Sequence, residues 1–173
     1  MAQISNLDKK YDPAIEPIRA LYDEYFGGGM NSIVFQEMRE TRGLAYSAWA
    51  SIMPPSYLKY PYVLRTQIAT QNDKMIDAVT TFNDIINNMP ESEAAFKLAK
   101  DGLTNRLRTE RIIKGDIIWS YINAQDLGQN VDPRIKLYND IQNMSLKDIV
   151  DFQKQWVKGR TYVYCILGDK KDL

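Results

Sequence analysis

Apolar residues recur every three or four positions along much of the chain, which is the spacing of an amphipathic helix. Residues that cap or end helices stand at the limits of these stretches, with Asp, Ser and Pro near the starts and Gly or Pro near the ends. The first predicted helix begins at Asp12-Pro13 and ends before Gly27. The predicted helices cover residues 12–26, 31–43, 72–90, 92–115 and 117–127, a shorter stretch from 132, and 145–159.

Two of these predicted helices carry apolar stripes of the kind that a helix turns toward a core. In residues 117–127, Ile118, Tyr121 and Ile122 lie on successive turns. In residues 72–90 the stripe has five members: Ile76, Val79, Phe82, Ile86 and Met89.

Four shorter stretches are rich in β-branched and aromatic residues, which favours strands. They cover residues 2–7, 44–53, 62–70 and 161–167. The second and third are separated only by a connector rich in Pro and Tyr, so we expect them to form a hairpin. One face of the third strand carries alternate residues: Tyr62, Leu64, Thr66, Ile68 and Thr70.

The predicted elements follow the order β-α-α-β-β, then a helical block, then β. Strands grouped around a helical block favour an α+β fold with helices on one face of a layered sheet, instead of a regular βαβ alternation. The sequence contains no internal repeat, low-complexity segment or linker. We therefore expect residues 1–173 to form a single domain.

The composition excludes several kinds of catalytic site. The chain has no histidine, one cysteine, 22 basic and 22 acidic residues. Without histidine it cannot contain a Ser-His-Asp triad, a Cys-His dyad, or an HExxH or HxxEH zinc site. A formal charge of zero argues against a dedicated nucleic-acid-binding protein.

The sequence also carries no signal of a membrane span. No apolar stretch approaches the roughly 18 residues of a transmembrane helix, and no signal peptide opens the chain. We therefore expect a soluble protein. The abrupt start at Met1 indicates that the chain is cut from a longer polypeptide.

A few residues invite a simple structural interpretation. Cys165 lies in an apolar run, so we expect a buried thiol that packs as a small hydrophobic side chain. Trp49, Trp119 and Trp156 fall inside predicted elements, where aromatic rings usually pack in or against the core.

Two clusters could be ligand sites, but their sequence context does not fit. The triple glycine at 27–29 follows a helix and lacks the Gly-Lys-Ser/Thr of a Walker loop, so we expect a flexible corner. The basic residues Arg106, Arg108, Arg111 and Lys114 would be spread around a helix. A solvated face is the main expectation for them, with nucleic-acid contact as a minor alternative.

The most informative stretch is residues 25–47, which reads YFGGGMNSIVFQEMRETRGLAYS. It resembles a segment of the pitrilysin and insulinase-type zinc peptidases, written loosely as LGGGxxSxLFxxLRExxGLAYS. The likeness covers the glycine corner, the helix after it, the Arg39-Glu40 pair, the Gly-Leu-Ala-Tyr turn and the interval from Arg39 to Tyr46. The later strand, helical block and closing strand also follow the order of that family's C-terminal half.

The resemblance implies a layered metallopeptidase fold of the LuxS/MPP-like type, with an antiparallel-rich mixed sheet and helices packed on one face. In this family two homologous halves enclose an unfolded or short peptide, and the first half binds zinc through HxxEH and a further Glu. The chain is then a C-terminal, non-zinc-binding half-domain, truncated at its N-terminus. No cofactor is expected in this chain, and zinc is expected in the partner half.

The second half of such peptidases supplies an Arg and a Tyr that reach across the cavity, and by position these are Arg39 and Tyr46. Arg39 offers a planar fork of charged donors that can orient substrate carbonyls or a carboxylate. Tyr46 offers a neutral O–H that can donate to the oxyanion formed when zinc hydroxide attacks a peptide carbonyl. Alternatively, Arg39 pairs with a nearby acid and Tyr46 packs in the sheet.

We therefore expect the substrate-binding and transition-state-stabilising half of a zinc-dependent endopeptidase, inactive alone. The alternative is a non-catalytic paralogue that binds peptides or serves as a structural assembly subunit. The expected partners are a zinc-binding N-terminal half or partner subunit and a peptide substrate, with no nucleic acid and no membrane span. The compartment is not indicated, because the bacterial periplasm and the cytoplasm are both compatible with the sequence.

Overall fold

The computed structural model describes residues 1–169 and 171 and contains a four-stranded sheet in the order β2-β3-β1-β4. The strands are β1 (Ala2–Lys10), β2 (Ser47–Met53), β3 (Pro61–Ala69) and β4 (Val163–Cys165). All three neighbouring pairs are antiparallel, and β2 and β3 form the predicted hairpin. The α+β class is confirmed, while the mixed sheet that the resemblance implies is, in the described part, wholly antiparallel.

The helices account for most of the remaining chain. They are α1 (Glu16–Phe26), α2 (Ile33–Phe35), α3 (Met75–Asn87), α4 (Glu93–Thr109), α5 (Ile117–Asp126), α6 (Pro133–Ile141) and α7 (Leu146–Trp156). Ser32, Ser92 and Asp132 each accept a backbone N–H of the first helical turn, and Ser145 forms the predicted capping box with Asp148. None of the helices within residues 1–169 has the length and apolar character needed to cross a membrane.

One face of the sheet is buried, as predicted. On β3, Tyr62, Leu64, Thr66 and Ile68 are at most 1% exposed, and the residues between them are more accessible. The same alternation runs along the first half of β1 and along β2, and α1 and α2 pack against β2. A period of two with one covered face is the pattern of an antiparallel sheet that carries helices on one side.

Helix α1 begins later than predicted. The carboxylate of Asp12 accepts a hydrogen bond from the N–H of Ala14 at 2.8 Å, and the carbonyl of Asp12 accepts one from Ile15 at 3.0 Å. Asp12 therefore closes a separate turn instead of capping the helix. Pro17 lies in the first turn of the helix that starts at Glu16, where a missing N–H carries little penalty.

The apolar stripes of α3 and α5 are only partly buried. In α3, Phe82 and Ile86 are buried as predicted, but Ile76 is 76% exposed because it lies in the first turn of the helix, just after a 3₁₀ turn. Helix α5 buries none of its residues, so Ile118 and Trp119 are exposed and the expectation that Trp119 packs in the core is wrong. Helix α5 covers a cavity beside α1 and α6 instead of the core.

The prediction of a buried Cys165 is also wrong. Cys165 is exposed and lies on β4, which has three residues, all of them exposed. This strand lies at an edge of the sheet and pairs with β1 only between Ala2 and Ile4. The apolar run that favoured burial therefore follows an open edge of the sheet.

Aromatic rings connect α1, α7 and the sheet. The ring of Phe152 lies 5.2 Å from Tyr22 and 5.1 Å from Trp156, and the ring of Trp156 lies 5.3 Å from Tyr62. The buried Tyr22 donates its hydroxyl hydrogen to the side-chain carbonyl of Gln153. Trp156 is buried as predicted, and this cluster holds the last helix against the first.

The glycine corner is a point of close contact between α1 and β2. A Cβ on Gly27 would stand 2.3 Å from the carbonyl oxygen of Ala50, and a Cβ on Gly28 would stand 2.8 Å from the carbonyl oxygen of Asp23. A Cβ on Gly29 would meet nothing within 4 Å. The corner is therefore confirmed, but its first two glycines are required by space more than by flexibility.

Asp23 ties α1 to the outer edge of β2. Its carboxylate accepts hydrogen bonds from the N–H of Ile52 at 2.8 Å, from Ser51 at 2.9 Å and from Arg19 at 2.9 Å. Burial raises the pKa of Asp23 to about 6, and the charge of Arg19 and the two other hydrogen bonds offset only part of that rise. Arg19 also donates to the carbonyl of Ile52 at 3.0 Å, so these two side chains cover part of an otherwise free strand edge.

Gly27→Ala is expected to lower the free energy of unfolding by about 3 kcal/mol, the upper part of the range for overpacking, because the new Cβ meets backbone that must move. Urea denaturation measures the loss. Gly29→Ala is the matched control and is expected to stay within about 0.5 kcal/mol of the wild type. Equal losses in the two variants would contradict the close contact at Gly27.

Asp23 is expected to make stability fall as the pH rises from about 4 to about 6. Its pKa of about 6 in the folded chain lies above its ordinary value of 3.8, so the folded state binds the proton more tightly. The resulting stabilisation is fully present below the ordinary value and is lost as the pH passes the folded value. Asp23→Asn removes this titration, so the two proteins should give unfolding curves whose difference changes across that interval; parallel curves would refute the assignment.

Candidate functional site

Helix α2 widens into a π-helical turn, Gln36–Thr41, and Arg39 lies within it. Ser32 caps the start of the helix, and Met38 anchors the wide turn because its side chain is fully buried. The sequence pattern predicts an ordinary helix over residues 31–43, since apolar spacing alone does not reveal a π turn. Such turns occur frequently at functional sites.

The chain reverses direction immediately after this turn. Gly43 has a φ of +58°, a conformation that glycine adopts without strain. The carbonyl of Met38 accepts hydrogen bonds from the N–H groups of the next two residues, at 2.9 and 3.3 Å, and Tyr46 then donates its N–H to Ala69 at 2.8 Å. The strand predicted to start at residue 44 therefore starts at Ser47, after a turn that delivers Tyr46 to the edge of the sheet.

The reversal places the two candidate residues side by side. The guanidinium carbon of Arg39 lies 5.6 Å from the ring centre of Tyr46 and 5.1 Å from that of Phe35. The Nε of Arg39 is 3.5 Å from the carboxylate of Glu40. Tyr46 is 81% exposed, so its ring does not pack in the sheet, whereas Arg39 does have a neighbouring acid.

Arg39 and Tyr46 line one shallow cleft of ≈ 480 Å³. Its other walls come from the turn after Gly43, the end of β3 and the turn before α3. The remaining lining residues are Gly43, Leu44, Ala45, Ala69, Thr70, Gln71 and Lys74. Thr70 donates its hydroxyl hydrogen to the carbonyl of Leu44 at 2.6 Å, which holds the end of β3 against the turn.

Sequence reasoning missed Lys74, which also lines this cleft. The Nζ of Lys74 donates to the carbonyl of Gly43 at 3.3 Å. These residues are 31 positions apart, and the contact exists only after the start of α3 folds against the turn. No spacing pattern in the sequence signals that arrangement.

The described residues do not fit a zinc site. Protein zinc sites are built from closely grouped Cys, His and carboxylate ligands. The chain has no histidine, and residues 1–169 and 171 contain no group of three or more potential ligands close enough to hold a metal ion. The acids beside the cleft are engaged, because Glu40 neighbours Arg39 and Glu37 pairs with Arg42.

The basic run after α4 is a solvated surface, as predicted. Arg106, Arg108, Arg111 and Lys114 are all exposed. Arg106 pairs with Glu24 at 2.8 Å, so one of the four charges is already neutralised by the fold.

A larger cavity of ≈ 550 Å³ lies between α1, α5 and α6. Its ionic side chains are already paired, Arg19 with Glu16 at 2.9 Å and Arg134 with Asp132 at 2.5 Å. Because these groups satisfy one another, the cavity presents little chemistry to a ligand, and we regard the cleft of Arg39 and Tyr46 as the better candidate site.

Comparison with solved structures supports the fold. A peptidase M16 inactive domain from Pseudomonas fluorescens superimposes with a TM-score of 0.72 at 16% identity, over 88% of this chain and 37% of that chain. An inactive peptidase domain from Bordetella parapertussis gives a TM-score of 0.66 at 13% identity, over 95% of this chain and 90% of that chain. At such identities the likeness concerns the fold alone.

Comparison of sequences connects the chain to a family. A curated relative from Helicobacter pylori, the non-peptidase homolog YmxG, is 27% identical over 152 residues, which span 84% of this chain and 34% of the relative. The chain thus spans about a third of that relative's length. Residues 17–103, half of the chain and the whole of the signature stretch, match the family model of the peptidase M16 inactive domain. The resemblance to the non-zinc half of these peptidases is confirmed, and the chain belongs to the family of the peptidase M16 inactive domain.

Proposed function

We propose that this chain is the substrate-binding and transition-state-stabilising half of a zinc-dependent endopeptidase that cleaves peptides or unfolded segments. The carrying observation is the placement of Arg39 and Tyr46, which lie together on one open cleft although they belong to different elements. A π turn and a left-handed glycine are both needed to bring them there.

Arg39 acts as the carbonyl-orienting group. The rings of Phe35 and Tyr46 lie within 5.6 Å of its guanidinium carbon, so cation–π contacts restrict its position. In the described chain its polar contact is the 3.5 Å approach of Nε to Glu40, which leaves the Nη donors for a ligand. Those donors form a planar fork that can accept two oxygens of a peptide or a carboxylate.

Tyr46 acts as the oxyanion donor. Its exposed ring places a neutral O–H in the cleft, next to a guanidinium that favours negative charge on a bound oxygen. A positioned donor of this kind stabilises the tetrahedral intermediate of peptide hydrolysis more than the planar carbonyl. In this scheme Arg39 binds the substrate and Tyr46 lowers the barrier.

The activity requires a second half. Because the residues of this chain do not fit zinc, the metal site and the base belong in this proposal to a zinc-binding half, in the same polypeptide or in a partner subunit. Residues 1–173 are then one half-domain that lacks its first strands, and they are inactive alone.

A second candidate function is that of a non-catalytic subunit, which binds peptides or supports assembly. The relative named as a non-peptidase homolog favours this function. The two candidates differ in one measurable property, because only the first requires that the hydroxyl of Tyr46 affect turnover in the complete protein.

Tyr46→Phe in the complete, zinc-loaded protein is expected to lower kcat about 100-fold, the loss typical of one oxyanion donor, with little change in KM. Steady-state hydrolysis of a fluorogenic peptide measures both constants. Tyr57→Phe is the matched control, since Tyr57 is also exposed but lies in the connector at the opposite end of the hairpin. An unchanged kcat in Tyr46→Phe would favour the non-catalytic function.

Arg39→Ala is expected to raise KM about tenfold or more, because it removes a charged hydrogen bond worth about 1.5–3 kcal/mol to the bound peptide. Arg42→Ala controls for loss of an arginine at the same helix end, since Arg42 pairs with Glu37 and does not line the cleft. Equal KM values in the two variants would count against a binding role for Arg39.

A further inference from the structure

The cleft contains a second cation that the family pattern does not include. Lys74 ends the 3₁₀ turn Asn72–Lys74 before α3, and its ammonium group donates to the carbonyl of Gly43 at 3.3 Å. The N–H of the same Gly43 donates to the carbonyl of Arg39 at 3.1 Å. One residue therefore links the backbone that carries Arg39 to the side chain of Lys74, three positions before Tyr46.

The charge of the cleft is one-sided. Of its nine lining residues, Arg39 and Lys74 are cationic and none is Asp or Glu. Glu40 approaches Arg39 only through Nε, and the salt bridges formed within the described residues do not involve Lys74. Asp73 and Asp77 flank Lys74 along the chain but do not line the cleft.

The donors of the two cations are only partly used. An ammonium group has three N–H donors, and the described contact to Gly43 occupies one of them. The fork of Arg39 keeps its Nη donors, as described above. A planar fork beside a mobile point charge is the combination that suits a carboxylate, because the fork binds two oxygens and the ammonium adds charge without fixed geometry.

We propose that this cleft recognises a carboxylate of the peptide, with Lys74 and Arg39 as its two cationic partners. The inference rests on the proposed function and deepens it by naming the substrate class: peptides with a carboxylate close to the bond held at Tyr46. That carboxylate comes from an acidic side chain or from a free C-terminus. Lys74 is then a specificity-determining residue.

The expected preference is moderate, since Lys74 and Arg39 are both partly accessible to solvent. A single exposed ion pair changes affinity by up to about fivefold, so two pairs predict roughly a tenfold preference for the carboxylate. The preference should shrink with salt, because the Debye length falls from about 10 Å at 0.1 M to about 3 Å at 1 M ionic strength.

Peptide binding to the complete protein tests the proposal without relying on turnover. Fluorescence anisotropy compares two matched pairs of labelled peptides, one with an internal Glu or Gln and one with a free or amidated C-terminus. We expect at least one pair to show about a tenfold difference in Kd. A difference in the first pair assigns the carboxylate to a side chain, and a difference in the second assigns it to the C-terminus.

Two variants at position 74 and one control locate the effect. Lys74→Glu is expected to abolish or reverse the preference, and Lys74→Gln, a milder change, to reduce it about threefold. Lys59→Glu makes the same change in net charge in the connector at the other end of the hairpin and should keep the wild-type ratio. Circular dichroism confirms that the variants are folded.

Equal affinities within both pairs for the wild type would overturn the proposal, as would a ratio that Lys74→Gln and Lys59→Glu leave equally unchanged. These outcomes are distinct from failure of the proposed function. A carboxylate preference with no effect of Tyr46→Phe on turnover removes the catalytic role alone, whereas an effect of Tyr46→Phe without the preference removes carboxylate recognition alone.

Discussion

The hydrogen bonds accepted by the carbonyl of Met38 determine where the candidate site forms. Met38 is fully buried, so its backbone is fixed by the core, and its carbonyl holds the two residues that follow Gly43. The chain can turn there because Gly43 adopts a positive φ. Arg39 leaves the helix just before this junction and Tyr46 leaves it just after. Their proximity is therefore a consequence of how a helix is joined to a sheet.

A second contact fixes the sheet relative to that helix. Gly27 lies so close to the backbone of Ala50 that no side chain fits between them, and Asp23 bonds the next stretch of the same strand. Helix α1 therefore sets the position of β2, whose first residues follow Tyr46. The glycine corner thus supports the site from behind without taking part in its chemistry.

The sequence was informative where one residue type has one structural use. The alternation from Tyr62 to Ile68 predicted the buried face of the sheet, and Ser92 predicted a helix start, because each pattern depends only on local geometry. Burial of Trp119 and Cys165 was predicted wrongly, since apolar spacing reports that a face could be covered and not which neighbour covers it.

The site was predictable only in part, for the same reason. The signature named Arg39 and Tyr46, but the π turn that positions Arg39 and the arrival of Lys74 depend on tertiary contacts. The absence of histidine excludes the usual hydrolytic centres from this chain and leaves it hydrogen-bond donors and positive charge. That is the chemistry of a half that binds and stabilises, and it requires another half that supplies the metal and the base.

The most direct test of the central claim is a structure of the complete protein with a peptide phosphonate that mimics the tetrahedral intermediate. The account predicts that the hydroxyl of Tyr46 lies about 2.7 Å from a phosphonate oxygen, within hydrogen-bond distance, with the Arg39 fork on the adjacent peptide. A phosphonate bound in the cavity but out of hydrogen-bond reach of both residues would contradict the account.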